Sequence, residues 1–329
     1  MTIPRPQQVG NPAISPPYRF KIIVFTYNRL EGLRRLLFSL KAADYLGYRS
    51  VTLHVFMDFP KKPDVPLDGS REFLDAFEWP HGEYVIHRRL VNVGLKKSIL
   101  ESWYPVHSDD EVAAFFEDDI EVSPVWFVWV DRGLRKYLFN ASRGPADAKL
   151  LGLSLFRPVK DELSGAMVEG VLESTHGQPF ALQQPCSWGA VYFPKPWREF
   201  RNWYDRHVGE PSELRDPRDD TIRPSSNAWD SSSSWKKFLI KLMYERGWFM
   251  IYPNFPERRV LSTNHLMPGV HPTPPRKLFE LPLVPQQDRL SEAERRCLTA
   301  FPEIDELHAF NVMFRPVGHI TQLPNYNVP

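Results

Sequence analysis

The sequence predicts an α/β protein, a mixed β-sheet flanked by helices, on three observations. Phe20–Thr26 is a β-branched and aromatic run; it passes through a short polar turn, Tyr27-Asn28-Arg29, into Leu30, Leu33, Leu36, Leu37 and Leu40 at helical spacing. Strand, turn and helix in that order open a βαβ unit. Val112–Phe116 is a continuous apolar run that ends abruptly in Glu117-Asp118-Asp119, as a parallel strand buried on both faces would. Further strand-like runs, Val51–Met57, Lys149–Leu155 and Phe249–Pro253, recur between helical patterns.

The 329 residues are 42% hydrophobic and 25% charged, which suits a soluble globular chain with ample sequence for a core. A formal net charge of +1 gives no global electrostatic case for nucleic acid or an acidic membrane surface. Cys186 and Cys297 are too few for a disulfide framework and leave the redox compartment open. No apolar run is long enough to span a bilayer and the N-terminus has no signal-type apolar core, so no integral membrane segment is expected. Location stays open between the cytoplasm and, with an anchor outside this sequence, the Golgi lumen. The 32 prolines cluster at both ends. Residues 1–17 therefore read as a proline-rich arm, 18–271 as the folded domain and 272–329 as an irregular extension. The capping box Ser291-Glu292-Ala293-Glu294 opens the one short helix expected there.

After the first strand and helix, Val51–Met57 is the second strand, ended by Asp58, and Pro60–Leu67 is a loop. Glu83–Ile86 is a short strand before His87-Arg88-Arg89. Gly94 opens a helix with Leu95, Ile99 and Trp103 on one face. Lys96 and Lys97, in its first turn, either face an anion site that helix amides also favour or are simply solvated. Beyond the acids, Ser123 reads as an N-cap and Pro124 as the first helical position of a helix to about Asn140, with Phe127, Val130, Leu134 and Leu138 as core. Val168–Ser174 reads as a β-ribbon. Ser187-Trp188-Gly189 turns into the apolar segment Ala190–Phe193; Trp188 is either a stacking platform or a core aromatic. Trp197, Phe200, Trp203 and Tyr204 make an aromatic helix face that reads as core. Pro211–Asn227 is a polar surface excursion carrying Asp216, Asp219 and Asp220. Ser231–Ser234 offer caps for a helix bearing Trp235, Phe238, Leu239, Leu242 and Met243. Asp230 sits just before it, where the helix dipole stabilises a carboxylate. Arg258, Arg259, Asn264, His265 and His271 follow in a proline-edged loop able to close over a diphosphate, with His265 or His271 as a candidate metal ligand. Beyond Ala300 the tail carries no readable signal.

Glu117-Asp118-Asp119 is where chemistry concentrates. At the carboxyl end of a strand in an open α/β sheet, the three acids sit where ligands bind. They repel one another, and solvent, a basic neighbour or a divalent cation must offset that; Mg²⁺ and Mn²⁺ commonly take one or two carboxylates plus substrate phosphates. The alternative is a solvated acidic turn.

The block Glu117-Asp118-Asp119-Ile120-Glu121-Val122-Ser123-Pro124 resembles the metal and nucleotide motif of inverting GT-A glycosyltransferases. It is most similar to that of the N-acetylglucosaminyltransferase I and protein-O-mannose N-acetylglucosaminyltransferase type, with looser similarity to family 2-like transferases. Eight consecutive positions make this a specific match, and Ser187-Trp188-Gly189 and Trp229-Asp230 support it. The resemblance spans roughly Tyr18 to His271 and implies a GT-A fold, a UDP-sugar donor, Mn²⁺ (or Mg²⁺) and a glycan or glycoconjugate acceptor. Residue by residue it implies Asp119 on the metal, Asp118 on the ribose, Glu117 near the donor sugar and Asp58 on uracil. The Thr26-Tyr27-Asn28-Arg29 turn would lie against the nucleotide, Trp188 would floor the sugar site, and Asp230 would be the general base. The stretch between Trp188 and Trp229 is longer than in the animal enzymes, which makes Asp219 and Asp220 rivals for the base. The competing readings are a non-catalytic carbohydrate-binding protein on a transferase fold, and a sugar nucleotidyltransferase. The latter would want a glycine-rich phosphate loop after the first strand, and Phe25–Arg29 contains no glycine.

Overall fold

The computed structural model describes residues 16–61, 68–140, 149–161, 165–173, 175, 177–207, 234–265, 267 and 279–323. The fold is a mixed α/β sheet with helices on both faces. β1 (Arg19–Thr26), β2 (Val51–Met57), β3 (Tyr84–Arg88) and β4 (Glu111–Glu117) are parallel, in the order β3-β2-β1-β4. Beyond β4 the sheet turns mixed. β8 (Ala190–Tyr192) runs antiparallel between β4 and β6 (Leu150–Ser154), and β9 (Phe249–Tyr252) is parallel to β6. β7 (Phe180–Leu182), β11 (His308–Phe310) and β12 (Pro316–Val317) complete ten strands among the described residues. The segment after residue 271, expected to be irregular, thus adds two strands to the sheet edge. Strands of two and three residues are too short for a period to be read from sequence.

The apolar runs read as doubly buried strands are that. Val112, Ala114 and Phe116 of β4 enter one core layer, and Ala113 and Phe115 enter the other. α1 (Leu30–Ala42) and α4 (Trp126–Gly133) cover the first face. α3 (Gly94–Ser102), α6 (Pro194–His207) and α7 (Lys236–Arg246) cover the second. Leu33, Leu36, Leu37 and Leu40 of α1 are all fully buried, each worth about 1.5–3 kcal/mol of transfer free energy. α8 (Glu292–Thr299) opens on the expected box: Ser291 Oγ accepts from Glu294 N, and Glu294 accepts from Ser291 N.

Several elements differ from expectation. α2 (Ser70–Ala76) was not read from the sequence, and β3 runs on through His87 and Arg88. Val168 opens a short helix, α5 (Glu169–Glu173), rather than a ribbon, because its carbonyl accepts from Val171 N and Leu172 N. The helix after Ser123-Pro124 begins at Trp126 and closes in a π-helical turn, Leu134–Leu138. Before it lies β5 (Ile120–Val122), which pairs antiparallel with β10 (Ser262–Asn264) in a separate two-stranded ribbon. That ribbon carries a late part of the chain to the acidic turn. The arm at 1–15 and the excursion 211–227 lie outside the described residues.

Candidate active site

From β1 the chain goes to β2 and β3 on one side, whereas β4 lies on the other. The carboxyl ends of β1 and β4 therefore flank the topological switch point, the usual ligand crevice of an open α/β sheet. Glu117 ends β4, and Asp118 and Asp119 make the turn into β5.

Asp118 is fully buried. Its Oδ2 accepts from Thr26 Oγ1 at 2.8 Å and from Tyr27 N at 3.2 Å. Its Oδ1 lies 2.5 Å from the Arg29 guanidinium in an ion pair without hydrogen-bond alignment. Arg29 Nη1 also donates to Asp119 Oδ2 at 3.2 Å, and Asn264 Nδ2 donates to Asp119 Oδ1 at 3.2 Å. Asp119 keeps a partly exposed side chain. Arg29 thus pairs with two of three neighbouring carboxyl groups and acts on the third, Glu117, through space. Burial, reinforced by Asp119 and only partly offset by Arg29, pushes Glu117 up to about 8. Burial likewise pushes Asp118 up to about 6, against the pull of Arg29. Asp119 is also raised, chiefly by burial. For Arg29, burial works to discharge the guanidinium, but the three carboxyls outweigh it and its pKa is raised.

A cation beside these crowded carboxyls would favour their ionised forms. Among the described residues no group of three or more His, Cys, Asp or Glu side chains is arranged to hold a metal on its own. One or two carboxylates, with Asp119 the accessible one, fit a hard divalent ion whose remaining ligands are oxygens of a bound phosphate.

The other expected residues fall out differently. Asn28 adopts a left-handed conformation, φ 50°, which Asn tolerates, and its Oδ1 accepts from Asp68 N at 2.9 Å; it shapes the turn. Asp58 accepts from Phe59 N, Val93 N, Gly94 N and Asn92 Nδ2 at 2.8–3.2 Å. A carboxylate offers about four acceptor positions, so Asp58 is filled by the start of α3, and a uracil N–H would have to displace one of these bonds. Lys97 is exposed and pairs with Glu101 at 3.6 Å on its own helix, not with the acids. Trp188 is half-buried, edge-to-face with Phe156 and Phe279 at 4.9 Å each, and its carbonyl accepts from Ser262 Oγ at 2.6 Å. His265 donates its backbone N–H to Asp119 O at 2.9 Å, so it does reach the site. Its Nε2 is 2.7 Å from Glu121 and its Nδ1 is 3.3 Å from Glu280. Both ring nitrogens are thus engaged by carboxylates, and His265 bridges Glu121 and Glu280 beside the acidic turn. Arg258 and Arg259 turn away, to Glu169 and to Glu257 and Glu294. Trp229, Asp230, Asp219, Asp220 and His271 lie outside the described residues.

Residues 28–212 match the family described as the SPBC1E8.03c C-terminal domain, 185 of the 329 residues. The chain belongs to this family. The matched span begins at Asn28 in the turn after β1 and takes in the whole acidic block. No curated protein matches the chain. Among solved structures it is similar to GalNAc-T7 with UDP, GalNAc and Mn²⁺, at 12% identity over 72% of this chain and 42% of that one, TM-score 0.43. It is also similar to the mannosyltransferase PcManGT from Pyrobaculum calidifontis in complex with GDP-Man and Mn²⁺, at 15% identity over 76% and 62%, TM-score 0.39. A third is S. aureus TarS 1-349, at 13% identity over 73% and 61%, TM-score 0.35. The chain spans less than two thirds of each of these structures.

In this family member, sequence reasoning missed three parts of the site. Gly32 of α1 is one: a Cβ there would lie 2.3 Å from the Asp118 carbonyl oxygen, so only glycine lets α1 pack against the acidic turn. Asn264 is another, read only as a loop residue and placed on Asp119 by the β5–β10 ribbon. Lys236, at the start of α7, lowers the pKa of Glu117 through space. The glycine in the first turn of an otherwise leucine-rich helix was the one available signal.

Proposed function

We propose that this chain is a metal-dependent, inverting GT-A glycosyltransferase that moves a sugar from a UDP-sugar to a hydroxyl of a glycan or glycoconjugate. One observation carries the reading: three adjacent carboxyls at the switch point, one of them fully buried, crowd around the Arg29 guanidinium, in a block that resembles the GT-A metal and nucleotide motif. Asp118, locked by Thr26, Tyr27 N and Arg29, is positioned to orient the nucleotide. Asp119 would hold the Mn²⁺ or Mg²⁺, and Glu117 would face the donor sugar. The bound ion, when present, neutralises charge developing on the diphosphate. In the transfer the acceptor oxygen forms the new bond to the anomeric carbon. The anomeric carbon–phosphate oxygen bond breaks and its electron pair leaves with UDP, while the acceptor proton passes to Asp230.

A second reading, a carbohydrate-binding protein on the same scaffold, is favoured by Arg29, which bridges Asp118 and Asp119 and supplies positive charge internally. Calorimetry with UDP separates the two. The enzyme reading expects binding with Mn²⁺ and strongly weakened binding in EDTA; equal affinity in both sinks it. Asp230→Asn should then spare UDP-sugar affinity and melting temperature while lowering turnover by about 10²–10⁴-fold. If Asp219→Asn or Asp220→Asn abolishes turnover and Asp230→Asn does not, the base is one of those two.

A further inference from the structure

A second cavity opens on the same edge of the sheet. Arg157 follows the carboxyl end of β6, and Asn254 to Arg258 follow that of β9. From β4 to β9 there are three strand steps, about 14 Å at the usual inter-strand spacing. The cavity measures about 550 Å³, within the roughly 300–1,000 Å³ of small-molecule sites. Between it and the acids stands Trp188, which packs on Phe156, the neighbour of Arg157.

The floor of the cavity is rigid and polar. Arg157, 4% exposed, lays its guanidinium as a fork on Glu169 at 2.9 and 3.1 Å, and its Nε donates to Asn254 Oδ1 at 2.7 Å. Asn254 in turn donates to Leu172 O and Thr175 Oγ1. Arg258 joins Glu169 from the other side at 3.1 Å. One wall is Glu257-Arg258, two consecutive non-glycine residues at φ 55° and 57°, a sparsely populated region. Strain of this kind persists only where surrounding structure holds it, and it clusters at ligand sites. The charged lining balances, with Arg157, Arg258 and Arg296 against Glu169, Glu173 and Glu257. The formal charges of the lining therefore give no net pull toward an anion or a cation. The exposed polar rim of Glu173, Gln178 and Arg296, over this fixed floor and beside apolar Pro179 and Leu172, suits an uncharged polyhydroxyl ring.

We infer that this cavity binds an uncharged saccharide unit of the acceptor, one set back from the reacting hydroxyl. The inference rests on the glycosyl-transfer reading only for the word acceptor; saccharide binding stands on the cavity itself. Preorganised groups lower the ordering cost of binding, so the unit anchors the acceptor along the edge that leads past Trp188 to the acids.

The test uses the full chain and ligand-observed NMR. The probes are methyl glycosides of mannose, glucose, galactose and N-acetylglucosamine, with their common disaccharides. Ala293→Trp, on the half-exposed start of α8, fills the cavity; Gln178→Ala and Glu173→Ala trim its exposed rim. The expected result is saccharide binding by the native chain, weakened at least tenfold by Ala293→Trp and severalfold by a rim variant, with UDP affinity unchanged. No binding of any probe, or binding untouched in Ala293→Trp and both rim variants, overturns the inference. Saccharide binding that depends on the cavity in a chain that does not bind UDP would keep the site and remove the transferase reading.

Discussion

At the carboxyl ends of β1 and β4, Glu117, Asp118 and Asp119 crowd around Arg29, and burial raises all three carboxyl pKa values. Farther along the same edge, at β6 and β9, Arg157 forks onto Glu169, whose pKa is lowered first by that hydrogen bond. Both centres sit on strand ends and both contain buried charge. The carboxylate of the second is satisfied by partners within the chain: Glu169 takes the Arg157 fork, Asn254 completes Arg157, and Arg258 Nε, without hydrogen-bond alignment of its own, adds an ion pair at 3.1 Å. The first is not: Asp118 Oδ1 has no aligned donor and Glu117 is driven toward its neutral form. Satisfied charge makes a rigid wall, whereas surplus charge makes a demand for something from outside.

The largest effect that could break this contrast is on cation-dependent UDP binding. Asp119→Asn removes the accessible carboxylate of the first centre, and the gain in UDP affinity on adding Mn²⁺ should fall by about 100-fold, the upper range for damage to a metal site. Glu169→Gln should leave that gain intact and appear instead as lost stability. Breaking a fully buried ion pair costs roughly 3–5 kcal/mol; with Glu169 36% exposed, about 2 kcal/mol is expected in chemical denaturation. If the two variants trade phenotypes, the acids are structural and the cavity floor holds the ion.

Gly32→Ala sharpens the comparison from beneath the acids. In an ordinary helix the change would add up to about 1 kcal/mol of propensity. Here the new methyl would meet the Asp118 carbonyl at 2.3 Å, and neither backbone segment can yield locally. Overpacking of this kind costs about 1–3 kcal/mol, so a net loss is expected, together with weaker UDP binding from a displaced Asp118. A stabilised variant with native UDP affinity would show that α1 slides freely over the turn.

How far the sequence could be read follows the same division. The strands β1, β2, β4, β6 and β9 were legible because burial on both faces writes continuous apolar runs, and α1, α6 and α8 because their spacing or capping box is local. The acidic block stood out in the sequence because three adjacent charges at a strand end repel and need something to offset them. What joins it to Asn264 and His265 is a three-residue ribbon, β5 with β10, about 140 residues apart in the chain and too short to carry a pattern. Likewise nothing in the sequence joins Arg157 and Glu169 to Arg258, which reads as part of a diphosphate-closing loop, since the parallel pairing of β6 and β9 is what brings Arg157 and Arg258 together. Asp58 reads equally as a base reader or a cap until Val93 N and Gly94 N are seen on it.

The smallest effect, and the one that tests the comparison most directly, is the pH dependence of stability with all divalent ions removed. Glu117 has an ordinary value of 4.5 and sits at about 8 in the fold. Between those limits the native state holds a proton that the unfolded chain has released, so stability falls as pH rises through that window. Glu169 has the opposite sign: its folded pKa is depressed, so its contribution is present above the ordinary value and is lost as pH falls through the folded one. Melting temperature measured in EDTA should therefore decline on the alkaline side up to about pH 8. It should also decline below about pH 4.5. Glu117→Gln should flatten the first limb alone and Glu169→Gln the second alone. Mn²⁺ with UDP should flatten the first limb in the native chain as well, because a bound cation stabilises the ionised carboxyl that the fold otherwise disfavours. An alkaline limb that survives Glu117→Gln would mean that Arg29 already balances the acids, and the contrast between the two centres would be lost.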